Sequence, residues 1–192
     1  MRKTSVIYKG LTILSLLTGI LLNMYNSKSA ISVVSYYTTQ STIICLLAFI
    51  VFLYLEISRK NISSKVQGIY YLVKGGIVIG IAVTMICYNI ALSPTGFDMA
   101  SLHRHTVLAK ITDFLVHTLS PCLVILDYFL FDIKGKFKKY YPIIWLILPL
   151  YYVFFVYVYS GVGGTFTAIG GSKKYAYFFL DYEKLGMFGV CK

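Results

Sequence analysis

Five stretches of this chain, roughly 8–25, 36–57, 69–92, 112–131 and 141–161, are each apolar over a length that can cross a lipid bilayer. A helix needs about 20 mostly apolar residues to do so. No other feature restricts the fold as much. Inside lipid every backbone polar group must be satisfied by the chain itself, which leaves only helices and closed barrels as spanning structures. A barrel requires strands of about ten residues that alternate apolar and polar positions, and runs such as Ile43 to Leu55 or Ile143 to Phe155 do not alternate. The expected fold is therefore all-α: a polytopic transmembrane helix bundle, one transmembrane domain over 1–192, with a loop and interfacial tail over 162–192.

Composition points the same way. Hydrophobic residues make up 58% of the chain and charged residues 13%, where a soluble domain carries about 25% charged. The net charge of +11 sits in short basic clusters between the apolar blocks. No soluble basic domain is left over for nucleic acid, which is excluded as a partner in favour of the lipid bilayer. Lys outnumbers Arg fifteen to three, with Ile and Tyr abundant, a usage that fits an AT-rich, bacterial genome. Of the four cysteines, Cys45, Cys87 and Cys122 lie in apolar blocks, where a thiol packs as a small hydrophobe. Cys191-Lys192 lacks a prenylation pattern. Neither disulfides nor a metal framework is expected, and no cofactor.

Arg2, Lys3 and Lys9 precede the first apolar run in the manner of a signal peptide, but the exit NMYNSKSAIS is a poor cleavage site, so the reading is a retained first helix. Basic residues orient the bundle. With the N-terminus cytoplasmic, the inner segments hold Arg2, Lys3, Lys9, Arg59, Lys60, Lys65, Lys134, Lys136, Lys138 and Lys139, ten in all. The outer connections hold Lys28, Arg104, Lys110, Lys173 and Lys174, five. A multi-pass cell-membrane protein with its N-terminus inside follows. Lys74, near the inner end of the third span, is expected to snorkel to the interface. GVGGTFTAIGGSKK at 161–174 reads as a flexible outer loop, and the tail after it as an interfacial segment held by Tyr175, Tyr177 and Phe178.

In lipid the informative side chains are the expensive ones. The fourth span carries Asp113, His117 and Asp127. Asp113 and His117 are four apart and share one helical face, so the carboxylate can orient the ring. Asp127 lies ten residues further, about a quarter-turn round the helix, and need not line the same cavity. The second span opens with Tyr36-Tyr37-Thr38-Thr39-Gln40-Ser41-Thr42, a run of hydroxyl and amide residues. If the orientation holds, Thr38 and His117 enter from the same side at similar depth. A neutral imidazole within reach of a threonine hydroxyl can take its proton as the hydroxyl attacks an ester, with Asp113 holding the imidazolium. The bland alternative is that these groups cap or join helices. Pro121, four residues after His117, is expected to kink the helix and free the His117 carbonyl. His103-Arg104-His105 with Asp98 is weak as a metal site and reads as a solvated loop.

YYTTQST at 36–42 and DFLVHTLSPCLVILDYFLFD at 113–132 resemble the androgen-induced and androgen-dependent (ADTRP-like) integral membrane proteins and their bacterial relatives. Pro149 with Tyr152 and YAYFFLD at 175–181 are fainter echoes of the same family. The resemblance implies an intramembrane threonine hydrolase, acting in animal members on fatty acid esters of hydroxy fatty acids. Its nucleophile and base fall on Thr38 and His117, with Thr39 the adjacent alternative to Thr38. The family has six helices where this chain supplies five, its sixth partial or missing.

The expected function is thus a lipid-ester hydrolase with catalytic Thr38, His117 and Asp113. Thr39, Gln40, Ser41 and Asp127 are expected to bind substrate, with Gln40 or Ser41 donating to an oxyanion. A proton- or cation-coupled transporter using Asp113, His117 and Asp127, and a purely structural subunit, are the rival classes. Oligomeric state and substrate chain length are not encoded in any feature of the sequence.

Overall fold

The computed structural model describes residues 2–27, 30–58, 63–93, 106–168 and 171–190. Asp98, the His103-Arg104-His105 motif and Cys191 lie outside them. Five helical segments are long and apolar enough to span a membrane: Arg2–Asn26, Tyr37–Ile57, Ser64–Leu92, Val107–Phe131 and Tyr141–Gly161. These coincide with the five apolar blocks, the first, third and fourth beginning several residues earlier because Arg2–Ile7, Ser64–Gly68 and Val107–Ile111 continue the helix past the apolar core.

The first span is α1 (Arg2–Asn26), followed by a short α2 (Ala30–Val34) and the second span, α3 (Tyr37–Ile57). The third span is α4 (Ser64–Ile86), capped by the Ser63 hydroxyl accepting from Val66 N–H, and it runs on as a π-helical turn at Cys87–Leu92. In the fourth, α5 (Thr106–Phe114) passes through a second π segment, Leu115–Leu119, into α6 (Ser120–Phe131). Pro121 stands in the first turn of α6 and has no N–H to donate, so the ladder widens there. The carbonyl it frees, His117 O, accepts instead from Asn89 Nδ2 of the facing π turn at 3.2 Å. The fifth span comprises α7 (Tyr141–Trp145) and α8 (Ile147–Gly161).

α1, α3, α4 and the α5–α6 helix pack around an apolar middle layer of Leu16, Cys45, Phe49, Ile77, Ile81 and Val124. The fifth span docks outside α4. Glycines make this possible: a Cβ on Gly75 would overlap the Trp145 ring and one on Gly80 would meet Leu148 Cδ2 at 2.5 Å. With small residues the helices approach closely, and Trp145 Nε1 donates to Leu72 O at 2.8 Å.

At the end where α1 begins, here the basal end, five ionisable side chains from four spans are joined. Lys74 pairs with Asp127 and, at 3.1 Å, with Asp132; Lys9 pairs with Asp127 at 3.3 Å and with Glu56 at 3.0 Å. Lys74 and Asp127 are 0% exposed. Lys74 therefore does not snorkel: two carboxylates and the rings of Phe49 and Phe52, each 4.9 Å from Nζ, hold it inside. Lys9, likewise, is a buried bundle residue rather than a loop charge.

At the opposite, distal end the segment after α8 is more ordered than its glycines imply. Strands β1 (Phe166–Ala168) and β2 (Gly171–Lys173) form an antiparallel hairpin with Phe166 opposite Lys173. Beyond it Tyr175, Ala176, Tyr177 and Leu180 are buried in an aromatic cluster with Tyr36, Tyr37 and Tyr152. Of the expected interfacial anchors only Phe178 is exposed. A short helix α9 (Tyr182–Val190) follows, kinked at Gly186, where φ is +69°. Its nine residues would cover only about 14 Å as a helix, too little for a span.

Candidate active site

Thr38 stands in the first turn of α3, where the polar run begins. Its carbonyl accepts from both Ser41 Oγ (3.0 Å) and Thr42 Oγ1 (2.6 Å). These hydroxyls are thereby turned back on their own helix, and Ser41 Oγ also meets Thr84 Oγ1 of α4 at 2.9 Å. The Thr38 side chain points the other way. Its Oγ1 lies 3.2 Å from His117 Nε2 across the bundle.

The other ring nitrogen fixes the tautomer. His117 Nδ1 faces Asp113 Oδ1 at 2.9 Å and the Asp113 backbone carbonyl at 3.2 Å. A backbone carbonyl can only accept, so Nδ1 carries a hydrogen, and in the neutral imidazole Nε2 is the acceptor that faces Thr38. Tyr88, from the π turn of the third span, completes the arrangement: its hydroxyl donates to Asp113 Oδ2 at 2.7 Å, and its ring stacks on the imidazole at 3.6 Å between centroids and 9° between planes. His117 is 2% exposed and Thr38 9%. The two π segments face one another here, and together they set the height of Tyr88 and Asn89 against His117.

Two cavities meet at Thr38. The larger, about 110 Å³, lies between the third and fifth spans and the tail, with Val83, Cys87, Pro149, Val153 and Phe179 in its walls. These wall residues are half-buried, so the cavity is not sealed inside the bundle. The smaller, about 10 Å³, lies on the α1 side and is lined by Asn23, Tyr36, Thr39 and His117 among others. Tyr177, hydrogen-bonded to Thr38, borders both. Burial pushes its phenol pKa up, by more than its hydrogen bonds with Thr38 and Tyr152 lower it, so the phenol keeps its proton at physiological pH.

Of the residues expected from sequence, Thr38, His117 and Asp113 converge. Thr39 turns toward α1, where Asn23 Nδ2 donates to its Oγ1 at 3.4 Å; Thr38 rather than Thr39 meets the imidazole. Gln40 is half-buried and among neither cavity's described lining residues. Ser41 faces α4, so neither is placed as an oxyanion donor. Asp127 belongs to the basal ion network, separated from His117 by the layer around Val124. Tyr88, Asn23 and Tyr177 were not legible as site residues. Tyr is so frequent in this chain that no single one stands out, and Asn23 reads as the end of a span.

Compared with family models, with curated proteins and with solved structures, the chain matches none.

Proposed function

We propose that this protein is an integral membrane hydrolase that cleaves a lipid ester, with Thr38 as nucleophile, His117 as base and Asp113 as its orienter. The observation that carries the reading is the relay Asp113–His117–Thr38, with its tautomer set for proton abstraction from Thr38 Oγ1, bordering an apolar cavity. Such a hydroxyl is inert alone and reactive beside a general base. The cavity's apolar walls suit a fatty acyl chain arriving from the bilayer. The Tyr177 phenol, hydrogen-bonded to Thr38, is suited to an oxyanion formed there. The sequence resemblance implies the same nucleophile and base. If the N-terminus is cytoplasmic, as the loop charges imply, the ester is met in the outer half of the membrane.

The rival proton path along the fourth span is less well supported. Asp127 is taken by Lys74 and Lys9, and the apolar layer of Leu16, Cys45, Phe49, Ile81 and Val124 lies between it and His117. The test uses the full chain in detergent with a fluorophosphonate probe and a fatty acyl ester. Labelling and turnover that both vanish in Thr38→Ala support the hydrolase. Unchanged turnover in Thr38→Ala and His117→Ala, or a probe-silent protein that takes up solute along an imposed pH gradient, overturns it.

A further inference from the structure

We propose that residues 174–183 form a lid that lifts as one piece to admit the ester and closes over its acyl chain, with Phe179 and Leu180 as the chain-facing residues. The proposal rests on the hydrolase reading above and assigns the way in to that same site.

The segment is built as an Ω-loop, a compact surface stretch of about 6–16 residues whose ends are close and which its own side chains pack. Its ends are tied to each other: Lys174 Nζ lies 2.5 Å from Glu183 Oε1, and the Tyr175 hydroxyl donates to the same oxygen at 3.3 Å. The rings of Tyr175 and Tyr182 meet edge to face, 5.6 Å between centroids. Within the loop Leu180 N–H donates to Tyr177 O at 3.0 Å, and the rings of Tyr177 and Phe179 stack at 5.2 Å. All these contacts are internal, so the loop keeps its shape when it leaves the bundle.

Its place over the site makes it the wall that can move. Among the described residues lining the apolar cavity, Tyr177, Phe179 and Leu180 are the ones that belong to no span. The facing spans are locked together lower down, where Trp145 fills the notch at Gly75 and Leu148 the one at Gly80. Thr38 is 9% and His117 2% exposed, and Tyr177 is hydrogen-bonded to Thr38, so an ester carbonyl needs a wall to yield before it reaches Oγ1.

The contacts divide into a pivot and a latch. At the neck Ser160 donates to Lys174 O at 2.5 Å, and the Tyr157 ring touches Tyr175 and Tyr182; little moves there. Further along, Tyr157 donates to Leu180 O at 3.2 Å and Tyr177 packs on Tyr36 and Tyr152; these are released. The loop follows the end of the fifth span, so lifting carries its rings into the membrane interface, where tyrosine is favoured, and Phe178 is already 56% exposed. Closure excludes water and returns Tyr177 to Thr38, as lids do when they complete a site.

The test bridges the lid to α8. Tyr157→Cys and Leu180→Cys are introduced into the full chain with Cys87, Cys122 and Cys191 replaced by Ser, and joined in detergent by a reducible bifunctional methanethiosulfonate. Bridging should lower kcat/KM for a long-chain acyl ester about tenfold or more, because admission becomes limiting, and reduction should restore it. The background protein carried through the same treatment is the control. The bridge should form in equal yield after a long-chain fluorophosphonate has been attached to Thr38, as a lid closed over the chain requires. In the unsubstituted protein, amide hydrogen exchange over 174–183 should be faster than over the spans and should slow once Thr38 carries that chain. Equal turnover of bridged and reduced forms, a bridge blocked by the bound chain, or exchange over 174–183 that the chain does not alter overturns the lid and leaves the hydrolase standing. A wild-type protein that neither turns over the ester nor is labelled at Thr38 overturns the hydrolase reading, and the lid with it.

Discussion

Thr38 Oγ1 and His117 Nε2, 79 residues apart in sequence and on different spans, lie 3.2 Å from one another in the interior of the bundle. The contact depends on α3 and the fourth span entering from the same end, and on the π segment at Leu115–Leu119 turning the imidazole inward. Asp113 reaches Nδ1 from one turn earlier in the same helix.

Asp113→Asn should slow ester turnover by about 10²-fold, less than the roughly 10⁴-fold that loss of an orienting carboxylate causes in a serine protease triad. The difference arises because the Asp113 backbone carbonyl also holds Nδ1–H and survives the substitution. Steady-state kcat against the wild type reads the effect. A larger loss than in His117→Ala would contradict the assigned roles.

Tyr88 acts on the imidazole in two separable ways. Tyr88→Phe keeps the ring stacked 3.6 Å from His117 but removes the hydrogen bond to Asp113, and should cost about tenfold in kcat. Tyr88→Leu loses both and should cost several times more, roughly as misplacement of a catalytic group does. Equal kcat values in the two variants would show that stacking contributes nothing.

Tyr177→Phe removes a donor beside Thr38 while leaving the aromatic cluster filled. Loss of one oxyanion donor lowers kcat by about 10²–10³-fold where the donor reaches the transition state. A fall of that order with KM little changed supports the phenol's assignment; a drop in thermal stability with unaltered kcat reassigns Tyr177 to packing.

How much of this was legible in the sequence follows the physics of each signal. Hydropathy is a one-dimensional property, so the five spans and the shared helical face of Asp113 and His117 were readable. Thr38 stood out because seven consecutive hydroxyl and amide residues begin a span. Partners across spans depend on how each helix is rotated about its axis, and weak amphipathicity leaves that rotation open. Hence Lys74 was expected at the interface, whereas Asp127 and Asp132 hold it in the core. The glycines of 161–174 resemble a loosely held loop, yet Phe166 within it, and Tyr177 just beyond it, make aromatic contacts with Tyr36.

The basal network gives a stability prediction with a signed interaction. Removing one charge of a buried pair strands the other and costs about 3–5 kcal/mol. Lys74→Met should therefore lower the melting temperature sharply, because Asp127 keeps only Lys9 and Asp132 loses its ion-pair partner, although Tyr70 still donates to it at 2.6 Å. Combining Lys74→Met with Asp127→Leu removes both members of the closest pair and should recover part of the loss. Lys9 then retains Glu56 at 3.0 Å. Thermal unfolding of the two single variants and the double in one detergent forms the cycle; strictly additive losses would mean that the two groups are uncoupled.

Docking of the fifth span gives the last prediction, since one wall of the apolar cavity comes from Pro149 and Val153 of α8. Gly75 leaves room for the Trp145 ring, whose Nε1–H is bonded to Leu72 O, and a Cβ at position 75 overlaps that ring. Gly75→Ala should force the indole outward, break this hydrogen bond and shift the end of α7, on which the placement of α8 depends. The relay Asp113–His117–Thr38 is built on α3 and the fourth span and should stay intact. Fluorophosphonate labelling of Thr38 is accordingly expected to persist while KM for a long-chain acyl ester rises several-fold and that for a short-chain ester changes little. Gly76→Ala, whose Cβ would stand 3.3 Å from Trp145 Cδ1, should produce a milder form of the same change. If labelling is lost together with long-chain turnover in Gly75→Ala, the fifth span supports the nucleophile directly, and the separation of chain binding from chemistry is wrong.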